Sequence, residues 1–507
     1  MSRQLSSHLS LTGFDFLSYT IDQLVTLLVG DGDMTAADIL ALIQDREIQM
    51  VDFRLVDMPG RQHHVTVPAV EVDEDMLTHG VAFDGSSIQG FRGIEESDMV
   101  MRPDLSTAYV DAFTAVPTLD LICDIYEPTG VRYNRDPRFI AQKAEAFLKQ
   151  SGIASDAFFG PELEFFIFDD VRFALEQKGA FYQIDSSEAN WNTGSDEGPN
   201  LAYKVKNKGG YFPVQPTDSQ HDIRTEMVQE LMNAGIRVER HHHEVASAGQ
   251  AEINFRFNTL TAMADTVLLY KYIVRNVAQQ NNKVATFMPK PLYGDNGSGM
   301  HVHQSLFKDG QPLFFEEGRY GNMSQMALHY IGGILHHAPA LLAFATPSTN
   351  SFKRLVPGFE APVNLVFSKG NRSAAVRVPV AAITPKTARI EFRTPDCTAN
   401  PYLAFAAMLL AGLDGIRKGI DPTAQGYGPI DKNIYELSDE EKKNIRSVPG
   451  SLDEVLVALE NDHEFLLEGG VFDQDFIDTW INFKRTNEVQ PLSLRPHPLE
   501  YQMYLDL

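Results

Sequence analysis

Apolar and polar positions first fall into a regular pattern after Met34. The segment TAADILALIQDRE puts Ile39, Leu40, Leu42 and Ile43 at helical spacing, with Thr35 as N-cap and Asp38 three residues on. The segments QMVDFRLVD and RQHHVTVPAV then alternate on either side of Met58-Pro59-Gly60, which predicts a β-hairpin. Two more β-rich stretches lie near MVMRPD and TLDLICDIY. One helix and several short strands predict a small α+β domain over 34–135. From Asp136 the pattern changes. The helical stretch PRFIAQKAEAFLKQSG alternates with the strand-like DAFFGPELEFFIFDD, and long amphipathic helices are predicted over 222–235, 261–283 and 321–344. These elements predict one large α+β domain over 136–507. Residues 1–33 end in the turn-like Gly30-Asp31-Gly32-Asp33 and read as an N-terminal extension.

Composition narrows the function by exclusion. Hydrophobic content of 43% and charged content of 22% are ordinary for a globular chain, so function must reside in specific sites. The 43 basic and 68 acidic residues give a net charge of −25. Such a surface repels phosphate backbones and argues against nucleic-acid binding. An anionic substrate would need positive charge gathered locally. Two cysteines, Cys123 and Cys397, are too few for a disulfide framework and fit a reducing cytoplasm. No apolar run approaches the ~20 residues that span a membrane. The nearest candidate, Phe14–Gly30, is interrupted by Asp15 and Asp22 and lacks the basic start of a signal peptide.

The candidate chemistry lies on polar strand faces. In GPELEFFIFDD, Glu162 and Glu164 are two apart and share a face; side by side they repel unless a cation neutralises them. In HHHEVASAGQAEINFRF, Glu244 precedes a turn containing Gly249, and Glu252 lies on the return strand, so the two can converge. His241, His242 and His243 alternate faces, which argues against a shared metal. In GDNGSGMHVHQSLF, glycines at 294, 297 and 299 let backbone approach a ligand, and His301, His303 and Ser305 share one face. In ARIEFRTPD, Arg389, Glu391 and Arg393 share a face, either as an ion-pair ladder or as a site. Upstream lie Lys353, Arg354, Glu360, Arg372 and Arg377. No G-x-x-x-x-G-K-[ST] string occurs, which disfavours a Walker-type NTPase. Five carboxylates and a histidine suit Mg²⁺ or Mn²⁺, and arginines beside such metals suit phosphoryl transfer. The residues alone point to a metal-dependent, ATP-using enzyme.

These strings also resemble a family. FDGSSIQGF, GPELEFF, KGGYFPV, HHHEVASAGQAE, KPLYGDNGSGMHVHQS, NSFKRLVPGFEAP, NRSAAVRVP, ARIEFRTPD and NPYLAFAAML occur in the order found in type I glutamine synthetases, from Met34 to Leu507. The resemblance implies an α+β fold: a small β-grasp N-terminal domain and a large catalytic domain with a curved antiparallel sheet and helices. It implies a homo-oligomer of two stacked hexameric rings, with active sites between neighbouring subunits. The implied activity joins ammonium to the γ-carboxylate of glutamate at the expense of ATP, with two Mg²⁺ per site or Mn²⁺ in their place.

Carried over by position, Glu164, Glu244 and Glu252 match ligands of the tighter metal. Glu162, His301 and Glu391 match ligands of the second, nucleotide-linked metal. Arg354, Arg393, Asn296 and Gly297 match the glutamate set. Arg372, Arg377, Arg389, Lys386, His303, Ser305 and Phe257 match the ATP set. Asp84 and Ser87 of a neighbouring subunit, with Tyr211, Glu244 and Glu360, match the ammonium site. Asp84, Glu360 and Arg372 are the implied catalytic residues. Tyr435, in IDKNIYELSDEE, matches the residue modified by an adenylyltransferase, although Ser438 and Asp439 stand where two prolines often follow. Phe91 stands where relatives often have Trp, and Met34 falls at the usual family start. Two other readings remain. One is a γ-glutamyl ligase for a larger amine, which the ammonium-type residues disfavour. The other is a non-catalytic structural homologue, which the full ligand set disfavours.

Overall fold

In the computed structural model, residues 34–507 are described, except 197–199, 358–360, 381–383, 433, 435, 436, 438, 439, 441, 442 and 444. The extension 1–33, Glu360, Tyr435, Ser438 and Asp439 therefore lie outside the described residues.

The N-terminal part starts with helix α1 (Ala36–Asp45). Thr35 caps it: its hydroxyl accepts from the Asp38 N–H, and the Asp38 carboxylate accepts from the Thr35 N–H at 2.8 Å. Six strands follow: β1 (Met50–Val56), β2 (Gln62–Pro68), β3 (Val81–Asp84), β4 (Asp98–Pro103), β5 (Tyr109–Asp111) and β6 (Thr118–Tyr126). Their order is β2-β1-β6-β4-β3, with β5 also on β6. β1 and β2 form the expected antiparallel hairpin, whereas β1 and β6 run parallel. Ile39, Val51, Phe53, Leu119 and Leu121 close the core beneath α1.

The larger part is built on strands β7 (Asp156–Phe168), β8 (Asp170–Glu176), β9 (Gly179–Asp185), β10 (Val238–His243), β11 (Gln250–Phe255), β12 (Asn258–Thr259), β13 (Val284–Thr286), β14 (Met300–Lys308), β15 (Gln311–Pro312), β16 (Asn364–Lys369), β17 (Ala374–Val378) and β18 (Ile390–Phe392). Its sheet runs β10-β11-β7-β14-β18-β17-β16, antiparallel except for β16 and β17. β7 therefore sits in the middle of the sheet, not at an edge. The β8–β9 hairpin stands apart as a two-stranded ribbon.

The longer helices of this part are α2 (Pro137–Ser151), α3 (His221–Asn233), α4 (Leu260–Gln280), α5 (Gln325–Ala345), α6 (Pro401–Lys418), α7 (Leu452–Asn461) and α8 (Gln474–Lys484). Three match the expected spans within a few residues. α5 starts later than the apolar pattern suggested, because Ser324 caps it by accepting from the Ala327 N–H at 3.2 Å. α5 and α6 are buried over most of their length and meet closely. A Cβ on Gly333 would lie 2.1 Å from the Ala411 carbonyl oxygen, so only glycine allows that approach.

Candidate active site

The sheet register gathers residues that are distant in sequence. Across β7 and β14, Glu162 stands opposite His301; across β7 and β11, Glu164 stands opposite Glu252. His242 on β10 is opposite Glu252, and Glu391 on β18 is opposite His303. Two groups of candidate ligand atoms result. Glu162, His301 and Glu391 form one; His242, Glu244 and Glu252 form the other; within each, the atoms lie within 4.8 Å of one another. His301 Nδ1 is 3.5 Å from Glu162 Oε2 and 3.8 Å from Glu391 Oε1. His303 Nε2 lies 3.1 Å from the other Glu162 oxygen. Glu391 is fully buried and pairs with both Arg377 and Arg393. The expected ladder thus runs through Arg377, while Arg389 turns away and donates from Nε to His303 Nδ1 at 3.3 Å.

The charges are unevenly balanced. Burial opposes ionisation of Glu162, but hydrogen bonds to His301 and His303 outweigh it and hold the carboxyl well below its usual range. Burial also opposes ionisation of Glu391, and the charges of Arg393, the two histidines and Arg377 hold it down. Glu252 goes the other way. Burial first, then the charges of Glu162, Glu164 and Glu244, push it well above the usual range. A buried carboxylate so strongly disfavoured by its neighbours fits a site for a divalent cation, and the oxygen-rich donor set suits a hard ion.

Glu164, Glu244 and Glu252 do line one region, but the tight group around Glu252 contains His242 where the sequence pointed to Glu164. The cause is local. Glu164 Oε2 accepts from the Gly299 N–H at 2.9 Å and from Gln250 Nε2 at 3.3 Å. His242 lies 3.6 Å from Glu244 and 3.8 Å from Glu252. Alternation along β10 sorts the three histidines rather than excluding all of them. His241 faces Arg224 and His221, and His243 faces Glu188. The signal for His242 was present: it is two residues before Glu244, as Gln250 is two before Glu252.

Beside these groups is a pocket lined by Glu164, Glu244, Val245, Gln250, Asn296, Gly297, His301, Arg354, Ala361 and Arg393. Arg354 is buried and donates to the carbonyls of Thr394 at 2.7 Å, Arg393 at 3.1 Å and Pro395 at 3.2 Å. Gln250 donates to the Gly297 carbonyl at 3.1 Å. The Asn296 side-chain oxygen is buried with no hydrogen-bond partner among the described residues. Two arginines and an unsatisfied acceptor suit a zwitterion with a carboxylate.

The remaining expected residues surround this centre at different depths. Ser305 donates to the Ala388 carbonyl at 2.9 Å. Phe257 is half exposed, 5.3 Å from Phe158 between ring centres. Lys386, on the turn Pro385–Thr387, and Arg372 are exposed; the Arg372 carbonyl accepts from Arg393 Nε at 3.2 Å. Tyr211 stacks on Phe212 at 4.0 Å, and Phe212 packs on His242 at 4.7 Å. Asp84 is exposed at the end of β3. Its hydrogen bonds are local, to the Ser86 N–H and hydroxyl and to the Ser87 hydroxyl, and those from Ser86 chiefly hold its carboxyl below the usual range.

Two family models match the chain: glutamine synthetase, catalytic domain, over residues 134–504, and glutamine synthetase, beta-Grasp domain, over residues 47–128. The chain belongs to the glutamine synthetase family. Relatives include the glutamine synthetase of Streptomyces coelicolor, 58% identical over 473 residues, covering 93% of this chain and 99% of the relative. That of Microchaete diplosiphon is 56% identical with the same coverage. Among solved structures, the glutamine synthetase of Plasmodium falciparum matches with a TM-score of 0.84 and 31% identity, over 93% of this chain and 99% of that one. Apo GmaS matches with a TM-score of 0.76 and 25% identity, over 93% and 100%. With the catalytic-domain model matched over residues 134–504, the chain is an ATP-dependent glutamate–ammonia ligase of mixed α+β fold. Its family works with ATP and divalent metal ions, and the two carboxylate–histidine groups are candidate donors for such ions.

Proposed function

We propose that the strand-face site makes L-glutamine through a γ-glutamyl phosphate. A carboxylate oxygen is a poor leaving group for ammonia, so the γ-carboxylate must first take a phosphoryl group from ATP. The observation that carries this reading is the adjacency of two carboxylate–histidine groups to a pocket holding buried Arg354 and Arg393. Two Mg²⁺ ions, or Mn²⁺ in their place, would offset charge repulsion between ATP and glutamate when bound. Glu162, His301 and Glu391 would hold one ion. Glu164, Glu244 and Glu252, with His242 alongside, would hold the other.

Arg354, Arg393, Asn296 and Gly297 orient glutamate in this reading. Arg377, Arg389, Arg372, Lys386, His303, Ser305 and Phe257 serve ATP. Ammonium enters as a cation and is held by carboxylates and Tyr211. Asp84 and Ser87 reach it from a neighbouring subunit, and their purely local hydrogen bonds within one chain leave that role open to them. Asp84 takes the proton that frees the nucleophile. Glu360, which stands between Gly358 and Pro362 in the sequence, has the role of shielding the acyl phosphate from water in this reading.

The same reading divides the chain into an extension over 1–33, a β-grasp domain over 34–135 and a catalytic domain over 136–507. It places the enzyme in the cytoplasm as two stacked hexameric rings, and makes Tyr435 the target of an adenylyltransferase. No helix among the described residues is long and apolar enough to cross a membrane. A ligase for a larger amine is the competing reading; Asp84, Ser87, Tyr211 and Glu360 favour ammonium over it. The test is a metal- and ATP-dependent γ-glutamyl transfer assay comparing ammonia with small amines. Ammonia should be used with the highest kcat/KM; a preference for methylamine or larger amines would overturn the assignment.

A further inference from the structure

The seam between the two parts of the chain encloses a second cavity, of about 580 Å³, away from the strand-face site. One wall is the turn after β1, Pro59–Gln62; the others come from α4, the residues after β13, and the end of α8. The seam is tied shut around it. Gln62 donates to the Leu268 carbonyl at 3.0 Å, and Asn400 donates to the carbonyls of Asp57 and Met58, both at 3.2 Å.

Four cations line the cavity, Arg61, Lys271, Arg275 and Lys484, against one carboxylate, Glu488. Glu488 is already paired with Lys484. Lys271 is buried, and its ammonium donates to the Cys397 carbonyl at 2.7 Å rather than to a carboxylate. The Arg275 guanidinium lies 5.3 Å from the centre of the Phe287 ring. Among the described residues, neither it nor the Arg61 side chain makes an ion pair or a hydrogen bond. In a chain of net charge −25, carboxylates are abundant, yet among the described residues none bonds to any of these three groups. Burial, with the Arg275 charge adding to it, pushes Lys271 down to about 8, whereas Arg61 and Arg275 are exposed at the cavity's rim. A buried ammonium and two exposed guanidinium groups without ion pairs, all lining one cavity, are complemented by an anion that reaches all three.

We propose that this seam cavity is a binding site for a small aromatic phosphomonoester, separate from the catalytic site. The phosphate is held by Arg61, Arg275 and Lys271, in the forked geometry that guanidinium groups offer to phosphate oxygens. The flat body lies along Phe287 and Tyr272, and the cavity is larger than inorganic phosphate needs. Because one wall is the β1–β2 turn and the others belong to the catalytic part, an occupant would fix the two parts relative to each other.

The test is calorimetric titration of the full-length, metal-free protein with phenyl phosphate. Three proteins are compared: the unaltered chain, Arg61→Ala/Arg275→Ala, and the active-site variant Arg377→Ala. The unaltered chain and Arg377→Ala should each bind one equivalent per chain. The double variant should bind at least tenfold more weakly while keeping its ammonia-dependent activity and its sedimentation. If the double variant loses assembly, Arg275→Gln, which keeps the packing on Phe287, takes its place. No saturable binding to the unaltered chain, or an affinity unchanged by the seam substitutions, would overturn the proposal. So would binding abolished by Arg377→Ala, because the ligand would then be in the catalytic site.

Discussion

Gly299 and Arg354 share a space with no room for one more carbon. A Cβ on Gly299 would stand 2.4 Å from Arg354 Nη2 and 3.2 Å from His301 Nε2. Arg354 cannot easily retreat, because three backbone carbonyls hold its guanidinium. Gly299→Ala should therefore fold but displace Arg354 and disturb Glu164, which accepts the Gly299 N–H. The expected result is a fall of ~10²-fold in kcat/KM for glutamate, the scale of a displacement of about 1 Å in a binding group. Steady-state kinetics at saturating ATP checks this; unchanged kinetics would mean that Arg354 does not position glutamate.

Removing one carboxylate from the buried group should be costlier. Glu162→Ala and Glu391→Ala are each expected to lower ATP-dependent activity at least ~10²-fold, the scale of losing one central charge interaction. Glu391→Ala should also lower stability, because Arg377 and Arg393 would lose their shared partner. Near-normal turnover at saturating Mg²⁺ would reject the ligand role of either residue.

Arg372 and Arg393 should differ in kind. Arg393 is buried and bonded to Glu391, beside the pocket assigned to glutamate. Arg372 is exposed, and its backbone carbonyl accepts from Arg393 Nε. Arg393→Ala should raise the KM for glutamate as well as lower kcat, whereas Arg372→Ala should act mainly on kcat. If both variants kept kcat/KM for glutamate, the arginines would be structural.

What the sequence could and could not convey follows from these residues. Alternation was enough to place Glu162 beside Glu164, and His301 beside His303, because a strand's period is fixed by covalent geometry. It could not say that Glu162 faces His301, because strand register depends on packing across the whole sheet. The spacing of His242 to Glu244 was legible in the same way, but its position opposite Glu252 was not. Two long helices were expected to extend a little further than they do. Capping at Ser324 decided one boundary, and the backbone turn at Asn282, with φ of +54°, follows the end of the other.

A pH effect on stability should come from outside the site. His337 lies between Asp414 and Asp462, with ring nitrogens 2.8 Å from each. Burial disfavours its charge, but the hydrogen bonds and charges of the two aspartates outweigh this and raise it above its ordinary value of 6.5. The folded state thus binds this proton more tightly than the unfolded state. The resulting stabilisation is full below pH 6.5 and is lost as pH rises through the folded-state value. His337→Gln should flatten that part of the stability profile. Denaturant midpoints measured from pH 6 upward check it; parallel profiles for the two proteins would contradict the assignment.

The end of the chain should matter to assembly. The helix Pro498–Tyr504 and the residues after it leave Leu499, Tyr501, Met503, Tyr504, Leu505 and Leu507 exposed. So many large apolar groups on one short segment call for a partner surface. In the assembly of two stacked hexameric rings proposed above, truncation after Arg495 should release single rings. Analytical ultracentrifugation showing an unchanged particle would remove the segment from the ring-to-ring contact.

The position of Glu391 on β18, between β14 and β17, also bears on how the chain folds. Glu162, Glu164, Glu244, Glu252 and His301 are all synthesised earlier than Glu391 and the neighbouring Arg393. Until β18 pairs with β14, the four early carboxylates face one another without Arg393 among them. Closing that pairing joins segments far apart in sequence, the kind of contact that forms slowly. Divalent cations, by screening the early carboxylates, should therefore speed refolding as well as support turnover, and a nascent chain ending before Ile390 would carry a half-built ion site whose own repulsion delays its completion.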